Sequence, residues 1–207
     1  MLSNYKRYLS EASKKGYSGV CVYTKEDPIK INKAFGSKFF EEEGRFIEVE
    51  LPKVRIVSVY FPSGSSGEVR QNLKYKFMDK FELYMRKIKK NTKPTIISGD
   101  WNIVHKEIDI KNWRSNQKNS GCLPKERAWL DKIFDKYGFV DAFRSINSKP
   151  HNYTWWSNRG QSWENNVGWR IDYQVISPNS KLKVLSAKIY KKERFSDHSP
   201  LTINYEF

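Results

Sequence analysis

The 207-residue sequence predicts a layered α/β or α+β fold with a central β-sheet. Short runs rich in β-branched residues recur along the chain between turn residues, which is typical of strands. Two segments repeat apolar residues at helical spacing, and the last third is again rich in strand patterns. Strands mixed with helices favour layers that cover the faces of a sheet. Since a domain usually holds roughly 100–200 residues, we expect residues 1–207 to form one domain.

In the N-terminal half, strand patterns precede one long helix. Residues 5–14 carry a weak pattern of a short helix. The apolar run at 19–23, the alternating run at 45–51 and the β-branched run at 54–61 predict strands. Residues 69–88 repeat apolar side chains at close to helical spacing and lead into a basic stretch, which favours a helix that ends there.

The C-terminal half predicts one shorter helix among strands. The apolar run at 94–98 indicates a strand. We expect a helix to begin at Pro124, because proline suits the first helical position, and to end at Gly138, which suits a C-terminal cap. The remaining strand patterns occupy residues 153–156, 169–176, 183–190 and 201–207.

The charge of the chain favours a polyanionic partner. The formal net charge is +15, from 38 lysine and arginine residues against 23 aspartate and glutamate residues. A nucleic acid suits this balance, because each neutralised phosphate releases counterions. The alternative is a solvated basic surface that has no dedicated partner.

Cysteine usage and hydropathy indicate a protein of a reducing compartment. Cys21 and Cys122 are far apart in the chain and match no metal-ligand spacing. No apolar segment approaches the roughly 20 residues that cross a bilayer, and the N-terminus lacks the apolar core of a signal peptide. We therefore expect a cytoplasmic protein, nucleoid-associated if bacterial, with no membrane contact and no obligate protein partner.

Polar residues follow strand patterns at three places. Tyr60 closes one strand, Asp100 and Asn102 follow the next, and the segments R-I-D at 170–172 and S-D-H at 196–198 lie near the C-terminus. Loops at the rim of a sheet commonly carry ligand sites. Taken singly, each of these residues is more often a turn residue, a helix cap or a packed side chain.

Together the three clusters suit the hydrolysis of a phosphodiester. A divalent cation neutralises developing charge and prefers carboxylate oxygens. A carboxylate and an amide can hold the attacking water, and a histidine kept protonated by an aspartate supplies a cation beside the scissile phosphate. The residues that offer these groups are Asp100, Asn102, Asp172, Asp197 and His198.

The clusters belong to a longer series of ordered motifs that runs from about residue 12 to the C-terminus. The series comprises residues 16–20, 43–45, 60–64, 99–103, 119–121, 124–127, 153–156, 166–173 and 196–200. G-D-x-N and S-D-H resemble motifs of the endonuclease/exonuclease/phosphatase superfamily. Y-F-P-S-G and N-V-G-W-R-I-D-Y resemble its exonuclease III / abasic-site endonuclease branch.

This resemblance implies a fold, an activity and a substrate. The fold is a four-layered α/β sandwich, in which two mostly antiparallel sheets lie face to face between helices. The activity is Mg²⁺-dependent hydrolysis of the phosphodiester 5′ to abasic sites, with 3′→5′ exodeoxyribonuclease and 3′-phosphodiesterase activity, and Mn²⁺ is an alternative cofactor. The substrate is double-stranded DNA with abasic or 3′-blocked sites.

The resemblance also implies a role for each site residue. Asp100 resembles the residue that activates or orients the attacking water, and Asn102 would orient that water or a phosphate oxygen. Tyr60 would contact the scissile phosphate. Asp172 would orient His198, which would stabilise the charge of a phosphorane-like transition state. The metal site would include Asp197, Asp100 and Asn102.

Further residues resemble positions that contact DNA. Trp155, Asn166 and Trp169 resemble a pocket for a flipped-out abasic sugar, which is compact and cheap to extrude. The alternative for these aromatic residues is hydrophobic core. Contacts to the DNA backbone would set register and not sequence. The other predicted DNA contacts are Gly16, Tyr17, Asn116, Lys118, Asn119 and Arg170.

The resemblance departs from the family pattern at the N-terminus. Family members open with a strand, a helix and a second strand that ends in a metal-ligating glutamate, and residue 1 lies beyond both strands. The sequence therefore predicts an N-terminally truncated domain with missing strands and a weakened metal site. Two alternatives stay open, namely a catalytically inactive DNA-binding remnant and a superfamily phosphatase that acts on lipids or small phosphoesters.

Overall fold

The protein is described by a computed structural model that covers residues 4–178 and 180–207. Its strands are β1 (Lys6–Glu11), β2 (Gly19–Thr24), β3 (Lys30–Asn32), β4 (Phe46–Glu50), β5 (Arg55–Tyr60), β6 (Thr95–Asp100), β7 (Val140–Asp141), β8 (Trp155–Trp156), β9 (Gly168–Trp169), β10 (Asp172–Ile176), β11 (Lys183–Ile189) and β12 (Leu201–Glu206). Its α-helices are α1 (Lys38–Glu42), α2 (Glu68–Lys89), α3 (Trp113–Asn116) and α4 (Pro124–Asp131). A 3₁₀ turn at Glu107–Asp109 and a π-helical turn at Lys132–Lys136 complete the helical segments.

A six-stranded mixed sheet forms the centre and confirms the predicted α/β class. Its strand order is β3-β4-β5-β6-β10-β7. The neighbours β5 and β6 are parallel, and the other pairs are antiparallel. The crossover between the two parallel strands runs through α2, which matches the helix predicted for residues 69–88.

The first face of the sheet packs against helices. Phe77, Phe81 and Met85 of α2 are fully buried against the sheet. Their spacing of four residues places them on one stripe of the helix, which is the pattern that the sequence shows. Phe61 and Trp101, which follow the parallel strands, stack with ring centroids 5.0 Å apart and extend this core to the strand ends. Each buried side chain of this size contributes roughly 1.5–3 kcal/mol.

The opposite face packs against strand pairs. Val20 and Val22 of β2 lie in a core cluster with Ile47, Val49 and Ile96 of the central sheet, and Tyr205 of β12 packs against the same cluster. The predicted second layer of strands is thus formed by the antiparallel pairs β1–β2 and β11–β12. Within residues 4–178 and 180–207, no helix combines the length and the apolarity that crossing a bilayer requires.

Two predicted elements are corrected. Residues 5–14, predicted as a weak helix, contain strand β1, in which Lys6 lies opposite Thr24. Pairing with β2 satisfies one backbone edge of β1 and lets Tyr8 pack on the cluster that contains Val20 and Val22, so tertiary contacts outweigh a weak local propensity. The strand predicted at 169–176 is divided into β9 and β10, because β9 pairs with β8 whereas β10 pairs with β6.

Candidate active site

Three neighbouring strands present polar residues in one row at the edge of the central sheet. Tyr60 lies opposite Asp100 in the parallel pair β5–β6, and Asp100 lies opposite Asp172 in the antiparallel pair β6–β10. Neighbouring strands lie about 4.8 Å apart, and paired residues project from the same face. The register of the sheet therefore brings together three predicted site residues that are distant in the chain.

The backbone around Asp100 is fixed by two unusual residues. Gly99 has φ 146°, and an added Cβ would lie 1.8 Å from the carbonyl oxygen of Val59, so only glycine fits here. Asn102 adopts a left-handed conformation with φ 53°. Its backbone N–H donates to Oδ1 of Asp100 at 2.7 Å, and its Nδ2 donates to Oδ2 at 2.9 Å. Both carboxylate oxygens of Asp100 are thus held in place by one turn.

His198 pairs with Asp172 beside this row. Nδ1 of His198 lies 2.9 Å from Oδ2 of Asp172, which leaves Nε2 as the ring nitrogen for a substrate. Burial alone would lower the pKa of His198, but the hydrogen bond and charge of Asp172 outweigh it and raise the pKa to about 9. The imidazole is therefore cationic at neutral pH.

The pKa of Asp100 shifts towards neutrality. Burial, and then the negative charge of Asp172, raise the pKa of Asp100 to about 7. Burial and the charge of Asp100 also raise the pKa of Tyr60, so its hydroxyl stays a hydrogen-bond donor. The site therefore combines Asp100, whose pKa lies near neutral pH, with the cationic imidazole of His198 and the neutral hydroxyl donor of Tyr60.

A pocket of about 810 Å³ opens beside the row. Trp155 and Trp169 form one wall, with ring centroids 5.9 Å apart and ring planes at 81°. Lys118 and Asn119 line the pocket as predicted, and Arg159 adds a second cation to its rim. Aromatic walls with basic groups at the rim suit a ligand that carries phosphate and a compact apolar part.

The pocket also carries oxygen donors that suit a divalent cation. Asp100, Asn102 and Asp197 all line it, and Oδ2 of Asp197 accepts a hydrogen bond from Nε1 of Trp155 at 3.0 Å. Among the residues that the structure describes, no cluster of three or more His, Cys, Asp or Glu side chains has metal-site geometry. Mg²⁺ commonly binds one or two carboxylates and completes its shell with water and phosphate, so this donor set fits it.

Tyr17 lies next to the row, whereas Gly16 does not. The guanidinium of Arg45 lies 4.8 Å from the ring centroid of Tyr60 and 5.6 Å from that of Tyr17. The buried Arg45 thus contacts both tyrosine rings, and it also forms a salt bridge with Glu43. Gly16 lines a separate hollow beside β1 and β2.

Two of the predicted asparagines support loops and do not line the pocket. Asn116 accepts a hydrogen bond at Oδ1 from Asn119 at 2.9 Å and thereby orients the residue that does line it. Asn166, with φ 49°, accepts from Nε1 of Trp156 at 3.1 Å and donates to the carbonyl of His151 at 3.2 Å. Its amide thus braces the segment between β8 and β9.

The prediction that Arg170 contacts DNA is corrected by its burial. The side chain is 0 % exposed. Its Nε donates to Oδ1 of Asp109 and its Nη2 to Oδ2 of Asp141, both at 2.7 Å. Arg144 donates to the same Oδ1 of Asp109 at 2.9 Å. Arg170 is therefore part of a closed ion network and cannot reach a phosphate in this structure.

Sequence reasoning missed a buried ion pair beneath the pocket. Lys74 and Glu126 are both 0 % exposed and form a salt bridge. Nζ of Lys74 donates to the carbonyl of Asn102 at 2.7 Å, and Oε2 of Glu126 accepts from the backbone of Gly121 at 2.7 Å. The pair therefore joins the Asn102 turn to a pocket loop. One sequence feature indicated the burial of Lys74, namely its position three residues before Phe77, which places it on the apolar stripe of α2.

Sequence comparison identifies the family of the chain. The profile described as "Endonuclease/Exonuclease/phosphatase family" matches residues 2–198. A Bacillus subtilis (strain 168) protein named exodeoxyribonuclease is 34% identical over 201 residues, which is 97% of this chain and 79% of that protein. The Danio rerio protein named DNA repair nuclease APEX1 is 34% identical over 200 residues, which is 96% of this chain and 64% of that protein.

Solved structures share the fold. A 3′–5′ exonuclease (NExo) from Neisseria meningitidis has a TM-score of 0.88 at 22% identity, covering 100% of this chain and 81% of that chain. An AP endonuclease from Archaeoglobus fulgidus has a TM-score of 0.87 at 23% identity, covering 99% of this chain and 80% of that chain. At 22–23% identity these structures support only the fold, and the family assignment rests on the sequence matches. The chain belongs to the endonuclease/exonuclease/phosphatase family.

Proposed function

We propose that the chain is a DNA repair nuclease that hydrolyses the phosphodiester 5′ to abasic sites and trims or unblocks 3′ ends. The observation that carries this proposal is the row of Tyr60, Asp100 and Asp172, with His198 bonded to its last member. The net charge of +15 fits a DNA substrate. Relatives named exodeoxyribonuclease and DNA repair nuclease support the same activity.

The scissile phosphate would bind between the donors of the row. His198 carries a positive charge at neutral pH, since Asp172 raises its pKa to about 9. Its Nε2–H and the hydroxyl of Tyr60 would each donate to a non-bridging phosphate oxygen. Donors that are fixed before the substrate arrives stabilise the charge that develops on the phosphorus oxygens in the transition state.

Asp100 would accept the proton of the attacking water. Burial and the charge of Asp172 raise its pKa to about 7, which makes this carboxylate a stronger base than an exposed aspartate. Asn102 holds Asp100 by two hydrogen bonds and would orient the water. The oxygen of the water forms a bond to phosphorus, the ester bond to the 3′ oxygen of the preceding nucleotide breaks, one proton of the water passes to Asp100, and the leaving 3′ oxygen takes a proton from solvent.

A divalent cation, Mg²⁺ or alternatively Mn²⁺, would be held by Asp100, Asn102 and Asp197. When bound, it neutralises negative charge on the phosphate. The hydrogen bond from Nε1 of Trp155 would orient Asp197 for this role.

The pocket would select the substrate by shape. Trp155 and Trp169 form a wall that suits a deoxyribose that has lost its base, and an abasic nucleotide is cheap to extrude from a duplex. Lys118, Asn119 and Tyr17 would contact the DNA backbone. Such contacts fix the register of the duplex and leave its sequence unread.

The test is cleavage of a labelled duplex that carries one abasic-site analogue, with Mg²⁺ and with EDTA. We expect metal-dependent incision 5′ to the lesion, and loss of incision in His198→Ala. The matched control is His105→Ala, because His105 is also bonded to an aspartate, Asp131 at 2.8 Å, but does not line the pocket. We expect this control to cleave like the wild type.

The other outcomes separate the alternatives. Retention of abasic DNA without incision would indicate a catalytically inactive DNA-binding protein. Equal activity on abasic duplex and on an inositol phosphate would indicate a phosphatase of the same family. Incision that survives in His198→Ala would reject the proposed role of the row.

A further inference from the structure

The loop between β11 and β12 carries an aromatic pair, half-buried Tyr190 and exposed Phe195, close in sequence to the pocket residues Asp197 and His198. Phe195 is 66% exposed, although large apolar side chains are usually covered. Its ring stacks on that of Tyr190, with centroids 5.8 Å apart and planes at 14°. One face of Phe195 is thus supported by a second ring, and most of its surface stays accessible to a third.

The loop is held in place by its own hydrogen bonds and by the β8–β9 segment. The backbone N–H of Tyr190 donates to the carbonyl of Pro200 at 2.9 Å and closes the loop. Nη2 of Arg194 donates to Oδ1 of Asn158 at 2.6 Å, and its guanidinium lies 5.5 Å from the ring centroid of Trp163. Phe195 is therefore presented on a braced loop, so that binding would require little further ordering.

The distance from Phe195 to the reacting phosphate is short. His198 is three positions after Phe195, so their Cα atoms are at most about 11 Å apart. Stacked nucleotides rise roughly 3.4 Å per strand step, so a strand held at His198 can bring a base within a few nucleotides to Phe195.

The surroundings of the aromatic pair favour a polyanion. Lys191, Lys192 and Arg194 lie in the same loop, where Glu193 is the opposing charge, and Arg159 lines the adjoining rim of the pocket. Aromatic rings interleaved with basic side chains are the arrangement that binds single-stranded nucleic acid, because bases stack on the rings while the cations hold the phosphates.

We propose that Phe195, supported by Tyr190, is a stacking platform for an unpaired nucleobase of the strand that enters the pocket. The proposal rests on the proposed nuclease function and extends it, because it gives the protein a preference for DNA with unpaired bases next to the cleaved bond. A base stacked on Phe195 would cover the exposed ring, and the phosphates on either side of it would lie near Arg194 and Lys192.

The test uses duplexes that carry a short unpaired segment at the lesion, with 2-aminopurine at successive positions of that segment. Binding is measured in EDTA, so that cleavage does not interfere. We expect one position to lose fluorescence on binding to the wild type and to Phe195→Trp, because stacking quenches 2-aminopurine. In Phe195→Ala this quenching is lost, and affinity for the unpaired substrate falls by about 5-fold to 100-fold relative to the fully paired duplex.

The matched control is Phe39→Ala, because Phe39 is 53% exposed on α1 and packs edge-on against Phe40 away from the pocket. We expect its binding and quenching to equal those of the wild type. Equal quenching in wild type and Phe195→Ala would overturn the platform, even if abasic duplex is still incised. Position-specific quenching without incision by Mg²⁺-loaded protein would support the platform and reject the nuclease proposal. Failure to bind any DNA would reject both.

Discussion

Asp100 and Asp109 are two aspartates of one chain segment that lie in opposite electrostatic environments. Asp109 is 1% exposed and accepts hydrogen bonds from Arg170 and Arg144 at a single oxygen. Although burial opposes ionisation, these guanidinium groups lower the pKa of Asp109 to about 2. Asp100 faces a second carboxylate, Asp172, and its pKa is raised to about 7.

The opposite pKa shifts distinguish Asp109, whose charge stabilises the fold, from Asp100, whose carboxylate faces the pocket. The Asp109 network is closed, because the buried Asp109 and Arg170 are neutralised by each other and by Arg144 and Asp141. The Asp100 site is open to a pocket, and burial together with the charge of Asp172 disfavours ionisation of Asp100 even though the His198 cation lies nearby. A pKa shifted towards neutrality in a cleft is typical of a reactive group, whereas a depressed pKa in a paired network is typical of scaffolding.

The strongest way to break this comparison is to neutralise Asp100. In Asp100→Asn we expect the rate of single-turnover cleavage to fall by about 10²-fold to 10⁴-fold, because the general base is lost. We expect the melting temperature to be unchanged or higher, since the folded state raises the pKa of Asp100 and so disfavours the ionised form. A large fall in melting temperature would instead assign Asp100 to the scaffold.

The complementary substitution neutralises Asp109. In Asp109→Asn we expect the free energy of unfolding to fall by about 3–5 kcal/mol, because Arg170 is left buried with less compensating charge. Cleavage per folded molecule should stay close to wild type. Urea denaturation measures the first effect, and activity normalised to the folded fraction measures the second.

A matched control for this substitution is Asp131→Asn. Asp131 also pairs with two basic groups, His105 and Lys106, but its side chain is 44% exposed. Solvent-exposed pairs contribute roughly 0–1 kcal/mol, so we expect a small loss of stability. Equal losses in the two variants would contradict the distinction between a closed network and a surface pair.

Features that depend on local sequence patterns were predicted, whereas features that depend on pairing between distant residues were missed. Long β-branched runs and the apolar stripe of α2 predicted the central sheet and its main helix, because burial and local periodicity act within one segment. The strand-end residues Tyr60, Asp100 and Asp172 were predicted from their motifs, and the sheet register places them in one row. Their individual roles remain predictions.

The failures have a common physical cause, which is pairing between distant residues. Arg170 stands beside Asp172 in one motif, but its partner Asp109 is 61 residues away, so the motif alone gives no sign of burial. Lys74 and Glu126 are 52 residues apart and meet only in the folded core. Part of the segment 5–14 forms strand β1 because β2 pairs with it. Local patterns do not contain these long-range contacts.

Acid titration provides a smaller test of the closed network. The pKa of Asp109 is about 2 in the folded protein against an ordinary value of 3.8. A depressed folded-state pKa contributes stability that is complete above the ordinary value and is lost as pH falls through the folded value. We therefore expect the stability advantage of wild type over Asp109→Asn to shrink by about 2 kcal/mol between pH 5 and pH 2.

The measurement is urea denaturation of both proteins across that pH range. Other carboxylates titrate in both proteins, so the difference between the two curves isolates Asp109. A constant difference would mean that the ionisation of Asp109 contributes nothing, and a difference that grows as pH falls would contradict the sign of the argument.

The smallest expected effect concerns a single cation of the open region. Lys118 lines the pocket, so Lys118→Ala should lower the slope of log affinity for duplex DNA against log salt by about 0.9, the contribution of one phosphate contact. Lys132 pairs with Glu82 on the helical layer and provides the control, for which we expect an unchanged slope. The measurement is a binding titration at several salt concentrations in EDTA. An equal reduction in both variants would mean that DNA spreads over the basic surface, and the electrostatic distinction between the pocket and the rest of the molecule would then fail for substrate binding.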